Sequence, residues 1–137
     1  MAYLLDTNVL CESSKRLPEP EVISWLRDND RDLHISALSI GEILKGIHLM
    51  DAGKRKHEIE RWYTRIERWA ANRLLVMNGP VFAEWADLYA RHQRAGHKLP
   101  LLDSFIAATA LHHGLTLVTR NLDDFPPEVT MLNPWRD

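Results

Sequence analysis

The sequence has little with which to build sulfur chemistry. Cys11 is the only cysteine among 137 residues, so no disulfide can close within the chain and no cysteine cluster can hold zinc. A lone thiol suits a reducing compartment. The opening Met1-Ala2-Tyr3-Leu4-Leu5-Asp6 has no basic region and meets an acid at once, so no signal peptide is expected, and a cytoplasmic location is. Apolar runs stop at four or five residues, as in Leu74-Leu75-Val76-Met77, far short of the ~20 that span a bilayer. No membrane partner is therefore expected. The seven histidines form no H-E-x-x-H pattern. No G-x-G-x-x-G follows the first strand, which removes dinucleotide binding. Asp6-Thr7-Asn8 is not the Asp-x-Asp of an aspartyl-phosphate enzyme, and no lysine follows Lys98. Asp28 to Asp32 is rich in acids, but Leu33 stands where a calcium loop needs glycine and Ser39 where it needs glutamate.

Charge of one sign is missing too. Seventeen basic residues face nineteen acidic ones, for a net charge of −2, which is not the basic signature of a chain that coats nucleic acid. The balance is uneven, however. Between Lys54 and Arg73 there are seven cations and three acids, a local excess of +4 in a chain otherwise near −6. Arg61, Arg65 and Arg68 share one side of a predicted helix, while Ile59, Trp62, Ile66 and Trp69 share another. The arginines read either as a solvated face or as a strip for an RNA backbone.

What is present is the composition of a globular domain: 45% hydrophobic and 26% charged residues. A length of this order buries roughly 68% of the unfolded surface, so a single domain over residues 1–137 can have its own core. Short apolar runs alternate with helical periodicity. Strands are expected at Tyr3–Leu5, Leu33–Ser36, Leu74–Met77, Leu115–Thr119 and Val129–Leu132. Helices are expected over about Glu21 to Asp28, from about Ser39 to the break at Asp51–Lys54, over about Lys56 to Ala71, from Gly79-Pro80 to Gly96, and from Pro100 to Gly114. Strand–helix alternation predicts a parallel sheet covered on both faces, with ligands at the carboxyl ends of the strands.

The candidate chemistry lies at that edge. Asp6 directly follows the first strand. Glu42 follows the second, where Ser39-x-x-Glu42 also matches a capping box, with Ser39 as N-cap and Glu42 in the first turn. Asp103 falls in the first turn of its helix, and Asp124 lies just past the fourth strand. Converging carboxylates repel one another unless a cation sits among them. A set of hard oxygens, without cysteine or histidine at ligand spacing, selects Mg²⁺ or Mn²⁺ over zinc and suits phosphodiester hydrolysis.

Four stretches carry a resemblance. They are Tyr-Leu-Leu-Asp6-Thr7-Asn8-Val-Leu, Ser36-x-x-Ser39-x-x-Glu42-x-x-x-Gly46, Leu-x-Asp103-x-x-Ile-Ala-Ala and Leu-Val-Thr119-Arg-Asn121-x-x-Asp124-Phe125. In this order and spacing the chain resembles the PIN-domain ribonucleases, and among them the VapC-type toxins of type II toxin–antitoxin pairs. The resemblance implies a three-layer α/β/α domain whose five-stranded parallel sheet runs in the order 3-2-1-4-5. It also implies Mg²⁺-dependent endonuclease action on RNA, with transfer RNA favoured. Asp6, Glu42, Asp103 and Asp124 become the catalytic acids, with Asp6 and Asp103 the direct metal ligands. Asn121 stands where some relatives place the fourth acid. Thr119 and Asn121 would orient carboxylates or water, and Arg120 reads either as a phosphate contact or as a surface residue. A homodimer and a small antitoxin partner are expected by the same analogy. The alternative is a catalytically silent PIN-like module that binds RNA or protein.

Overall fold

The computed structural model describes residues 1–136. Five strands form one parallel sheet: β1 Tyr3–Leu5, β2 Leu33–Ser36, β3 Leu74–Leu75, β4 Thr116–Val118 and β5 Met131–Leu132. Their order is β3-β2-β1-β4-β5, as the resemblance implies. Six helices connect them: α1 Thr7–Glu12, α2 Pro20–Asp28, α3 Ala37–His48, α4 Lys54–Ala70, α5 Gly79–Arg94 and α6 Leu101–His113.

Side-chain alternation on the central strands produces the three layers. In β1, Leu5 joins a core with Val9, Val22, Leu33, Ile35, Ile43, Ile47, Trp62 and Ile66, which is the face covered by α1 to α4. Its neighbour Leu4 points the other way, onto Leu88, Ile106, Leu117 and Val129 under α5 and α6. Strands with both faces covered are largely apolar, as β1 is and as β4 is apart from Thr116. Each fully buried leucine or isoleucine here contributes roughly 1.5–3 kcal/mol of burial free energy. Helix α6 is buried along Ala107, Ala108 and Ala110, small residues that let it lie close to the sheet. Gly114 closes it in the left-handed region at φ 65°. A side chain there would be strained, and the turn feeds the chain straight into β4.

Strands β4 and β5 are each two residues shorter than expected, and the structure departs from the sequence reading in three further places. Helix α1 was not expected: Asp6 looked like the end of a strand, yet it is also the N-cap of a six-residue helix. The third strand holds only Leu74 and Leu75, leaving Val76 and Met77 in the connection. Helix α3 begins at Ala37, with Ser36 as its N-cap accepting from Leu38 N at 3.1 Å. The capping box of Ser39 and Glu42 is therefore not formed, and Glu42 lies in the second turn rather than the first. The cause is steric economy: β2 ends at Ser36, and a serine there can cap at once, without the loop that a Ser39 cap would need.

Candidate catalytic site

The sheet order reverses beside β1, since β2 and β3 lie to one side of it and β4 and β5 to the other. A crevice opens between the carboxyl ends of β1 and β4 at such a point. Leu5 is in register with Val118, Asp6 N donates to Val118 O at 2.9 Å, and Thr119 N donates to Leu132 O at 3.0 Å. The residues immediately past the two strands, Asp6 and Thr119, are therefore fixed side by side.

Asp6 is only 8% exposed, and both its oxygens are held. Thr7 N donates to Oδ1 and the Thr119 hydroxyl to Oδ2, each at 2.8 Å. Thr119 Oγ1 in turn accepts from Asn121 N at 3.0 Å. Burial pushes the Asp6 carboxyl above its ordinary range. The two hydrogen bonds oppose that rise, and the charges of Glu42 and Asp124 add to it.

Asp103 sits in the first turn of α6 and is half-buried. Burial, followed by the charges of Asp6, Asp124 and Glu42, pushes its carboxyl up to about 6. No hydrogen bond offsets these causes, which separates it from Asp6. The structure thus brings all four candidate acids into one electrostatic neighbourhood, from β1, α3, α6 and the short 3₁₀ turn Leu122–Asp124. Cys11 reports the same field independently: burial, then Glu42 and Asp6, push its thiol up to about 11. That value makes the thiol inert at neutral pH.

Glu42 has a partner that the sequence reading missed. Thr7 Oγ1 lies 2.8 Å from Glu42 Oε1 and 2.9 Å from Ser39 Oγ. Neither hydroxyl had a chemical role in the sequence reading. The available signal was positional, since Thr7 follows Asp6 directly and Ser39 precedes Glu42 by one helical turn. Glu42 also lines two open grooves. One, of about 410 Å³, runs between α3, α5 and α6 past Phe82 and Phe105. The other, of about 280 Å³, runs between α1, α3 and α4 past Ile59 and Trp62.

The remaining candidates are peripheral. Asp124 and Asn121 are exposed, and of the two it is the Asp124 charge that reaches Asp6 and Asp103. Arg61, Arg65 and Arg68 are exposed on the outer face of α4, opposite buried Trp62, Ile66 and Ala70. Arg120 is exposed, its guanidinium 5.0 Å above the Trp135 ring, and its charge is felt at buried Glu12.

The donor set fits a hard divalent cation held by few protein ligands. Among the described residues, no three of histidine, cysteine, aspartate and glutamate stand close enough to share an ion, so a closed protein cage is not formed. Magnesium commonly takes one or two carboxylates and keeps several waters, and two crowded, desolvated carboxylates at Asp6 and Asp103 suit that mode. Burial is the first cause of the rise at each, and a cation beside them would offset that cost together with the repulsion that Asp103 feels from Asp6.

The sequence profile of the PIN domain family matches residues 3–126. Toxin FitB of Neisseria gonorrhoeae is 35% identical over 98% of this chain and 99% of its own length. The VapC ribonuclease Y4jK of Sinorhizobium fredii is 32% identical over 96% of each. Among solved structures, FitAB bound to a DNA fragment superposes with a TM-score of 0.88 at 33% identity, covering 98% of this chain and 96% of that one. DNA-bound VapBC from Salmonella typhimurium superposes at 0.82 with 20% identity, over 98% and 99% of the two chains, a likeness of fold.

Proposed function

We propose, because this chain belongs to the PIN-domain family, that it is the toxin of a type II toxin–antitoxin pair and a metal-dependent endoribonuclease. The support for the chemistry is the placing of Asp6 and Asp103 at the strand-order reversal, where burial and then the charges of Asp6, Asp124 and Glu42 raise the Asp103 carboxyl to about 6. Carboxylates that are desolvated and held in one another's field cost stability, and such shifted groups gather at functional sites. The ribonuclease and toxin names of the relatives point to the same task.

In this reading Asp6 and Asp103 hold a divalent ion, Mg²⁺ with Mn²⁺ able to replace it. The bound ion supplies Lewis-acid polarisation of a phosphoryl oxygen and a more acidic water. The chain's own contribution is placement. Thr119 and Thr7 N fix the two Asp6 oxygens, so that carboxylate has one orientation before substrate arrives. Thr7 occupies Glu42 Oε1, leaving Oε2 to orient the attacking water and accept its proton. Asp124 adds charge or an outer contact at the rim. Water adds at phosphorus, and the bond to the 3′ oxygen breaks. The products are a 5′-phosphate and a 3′-hydroxyl.

RNA is the proposed substrate, with transfer RNA favoured by analogy. A small antitoxin is the proposed partner, since the FitAB and VapBC neighbours are complexes. A homodimer in the cytoplasm completes the reading. No helix among the described residues is long and apolar enough to cross a membrane.

The test is cleavage of structured RNA, including transfer RNA, by purified protein free of its partner. Cutting is expected with Mg²⁺, none with excess EDTA, and recovery when Mg²⁺ is restored. A folded protein that binds RNA but never cuts it would instead be the silent module. The strip on α4 has its own expected outcome. Replacing Arg61, Arg65 and Arg68 with alanine should weaken RNA binding about tenfold at low salt. It should also flatten the dependence of log affinity on log salt by about 2, near 0.7 per lost phosphate contact. An unchanged slope in a filter-binding series would return these arginines to the solvated surface.

A further inference from the structure

Ser39 is fully buried, at 0% exposure, yet it does not cap α3, because Ser36 does. A serine inside a helix ordinarily bonds back to a carbonyl of its own preceding turn, as Ser104 does with Leu101 O on α6. Ser39 instead reaches 32 residues away in sequence, to Thr7 Oγ1 at 2.9 Å. Thr7 has one hydroxyl proton and two neighbours for it, Ser39 Oγ and Glu42 Oε1 at 2.8 Å. An ionised carboxylate has no proton to give and forms the stronger, charge-assisted bond. Thr7 therefore donates to Glu42, and the Ser39 hydroxyl is left to donate to Thr7. The Thr7 proton can serve one of these two contacts and not both, so giving it to the carboxylate makes Ser39 the donor in the 2.9 Å contact.

We infer that Ser39 is a positioning residue: its hydroxyl, donating to Thr7 Oγ1, aims the Thr7 proton at Glu42 Oε1 and so fixes which carboxylate oxygen Glu42 presents to substrate. The inference rests on the proposed reading of this site as a phosphodiester-cleaving centre. Without Ser39, the Thr7 hydroxyl is free to rotate about its C–O bond, and Glu42 loses a partner polarised from behind. The acid then samples rotamers that open onto either flanking groove. Ser39 touches neither substrate nor metal in this scheme. Its whole effect passes through Thr7.

The experiment is a kinetic cycle on a short fluorogenic RNA with wild type, Ser39→Ala, Thr7→Ala, the double variant and Thr7→Ser. Ser39→Ala should lower kcat about tenfold, the scale of one neutral hydrogen bond, with KM changed less than about twofold. The double variant should be no slower than Thr7→Ala alone, since both substitutions cut the same chain. Thr7→Ser, which keeps the hydroxyl, should recover most of the wild-type rate. Additive losses in the double variant, or an unchanged kcat in Ser39→Ala, would overturn the inference. If Ser39→Ala does not fold, Ser39→Cys, a weaker donor of similar size, should give an intermediate kcat, and a wild-type value there overturns it equally. A crystal structure of the variant is the readout independent of activity. Glu42 in more than one rotamer is expected, and a single Glu42 position with the Thr7 contact intact rejects the role. A wild-type chain that cuts no RNA, or a Glu42→Gln chain that cuts as well as wild type, would fault the functional reading and leave the structural readout to decide on Ser39.

Discussion

Asp6→Asn is expected to lower RNA cleavage on the order of 10³-fold, about 4 kcal/mol of transition-state stabilisation, while leaving the fold intact and slightly more stable. The substitution is nearly isosteric, and the local bonds show why it should fold. Asparagine is as good an N-cap as aspartate, so Oδ1 keeps the Thr7 N–H at 2.8 Å that starts α1. The Thr119 hydroxyl, which donates to Oδ2, can turn to accept from the new amide. What disappears is one charge, and that charge is a burden in the metal-free protein, since burial holds this carboxyl above its usual range. The variant should therefore melt at a temperature equal to or a few degrees above wild type, and Mg²⁺ should no longer add stability. Cleavage assays beside thermal melts with and without Mg²⁺ would check this. Cleavage close to wild type would remove Asp6 from the catalytic centre, and collapse of the fold would show that its charge, not merely its shape, holds α1.

The frame of the molecule was legible because its signals are local and redundant. Strand β1 reads as three apolar residues before an acid, α5 as Gly79-Pro80 followed by a spaced apolar set, and α6 as a helix between Pro100 and Gly114. Where one signal served two structures, the sequence was ambiguous. Asp6 marks the end of a strand and the start of a helix at once. The six residues from Thr7 to Glu12 are too few to be stable by propensity alone; they are helical because Val9 and Leu10 are pulled into the core. Ser39, three residues before Glu42, was the expected cap of α3. The choice fell to Ser36 because of where β2 runs out, a tertiary fact, and it moved Glu42 along its helix. The four acids were legible as candidates by type and position. Their couplings through Thr7, Ser39 and Thr119 could not, because those contacts join residues 32 to 113 apart in the chain.

Asp103→Asn should abolish cleavage to a similar degree and make the metal-free protein measurably more stable, with a pH signature that identifies the cause. The folded-state carboxyl titrates near 6, against 3.8 for the ordinary group. Between those values the native protein binds more protons than the unfolded chain, so its stability falls as pH rises through the window, and the loss is complete above it. The sign is opposite to that of a salt-bridged aspartate. The carboxylate is only half-buried, so solvent screening reduces the penalty to about 1 kcal/mol, or a few degrees of melting temperature for a domain of this size. Wild type in EDTA should lose that increment between about pH 4 and pH 6. Asp103→Asn should lose less over the same range, keeping only the slope that Asp6 contributes to both proteins, and melt higher at pH 7.5. Adding Mg²⁺ at pH 7.5 should raise wild type toward the variant, because a cation held by Asp6 and Asp103 offsets the same repulsion, and should leave Asp103→Asn unchanged. If the two proteins show parallel pH profiles, Asp103 does not feel the other three acids, and the crowding from which the catalytic reading starts is absent in solution. If the profiles differ but Mg²⁺ moves neither, Asp103 is shifted, by its burial before its neighbours' charges, and the cation binds elsewhere.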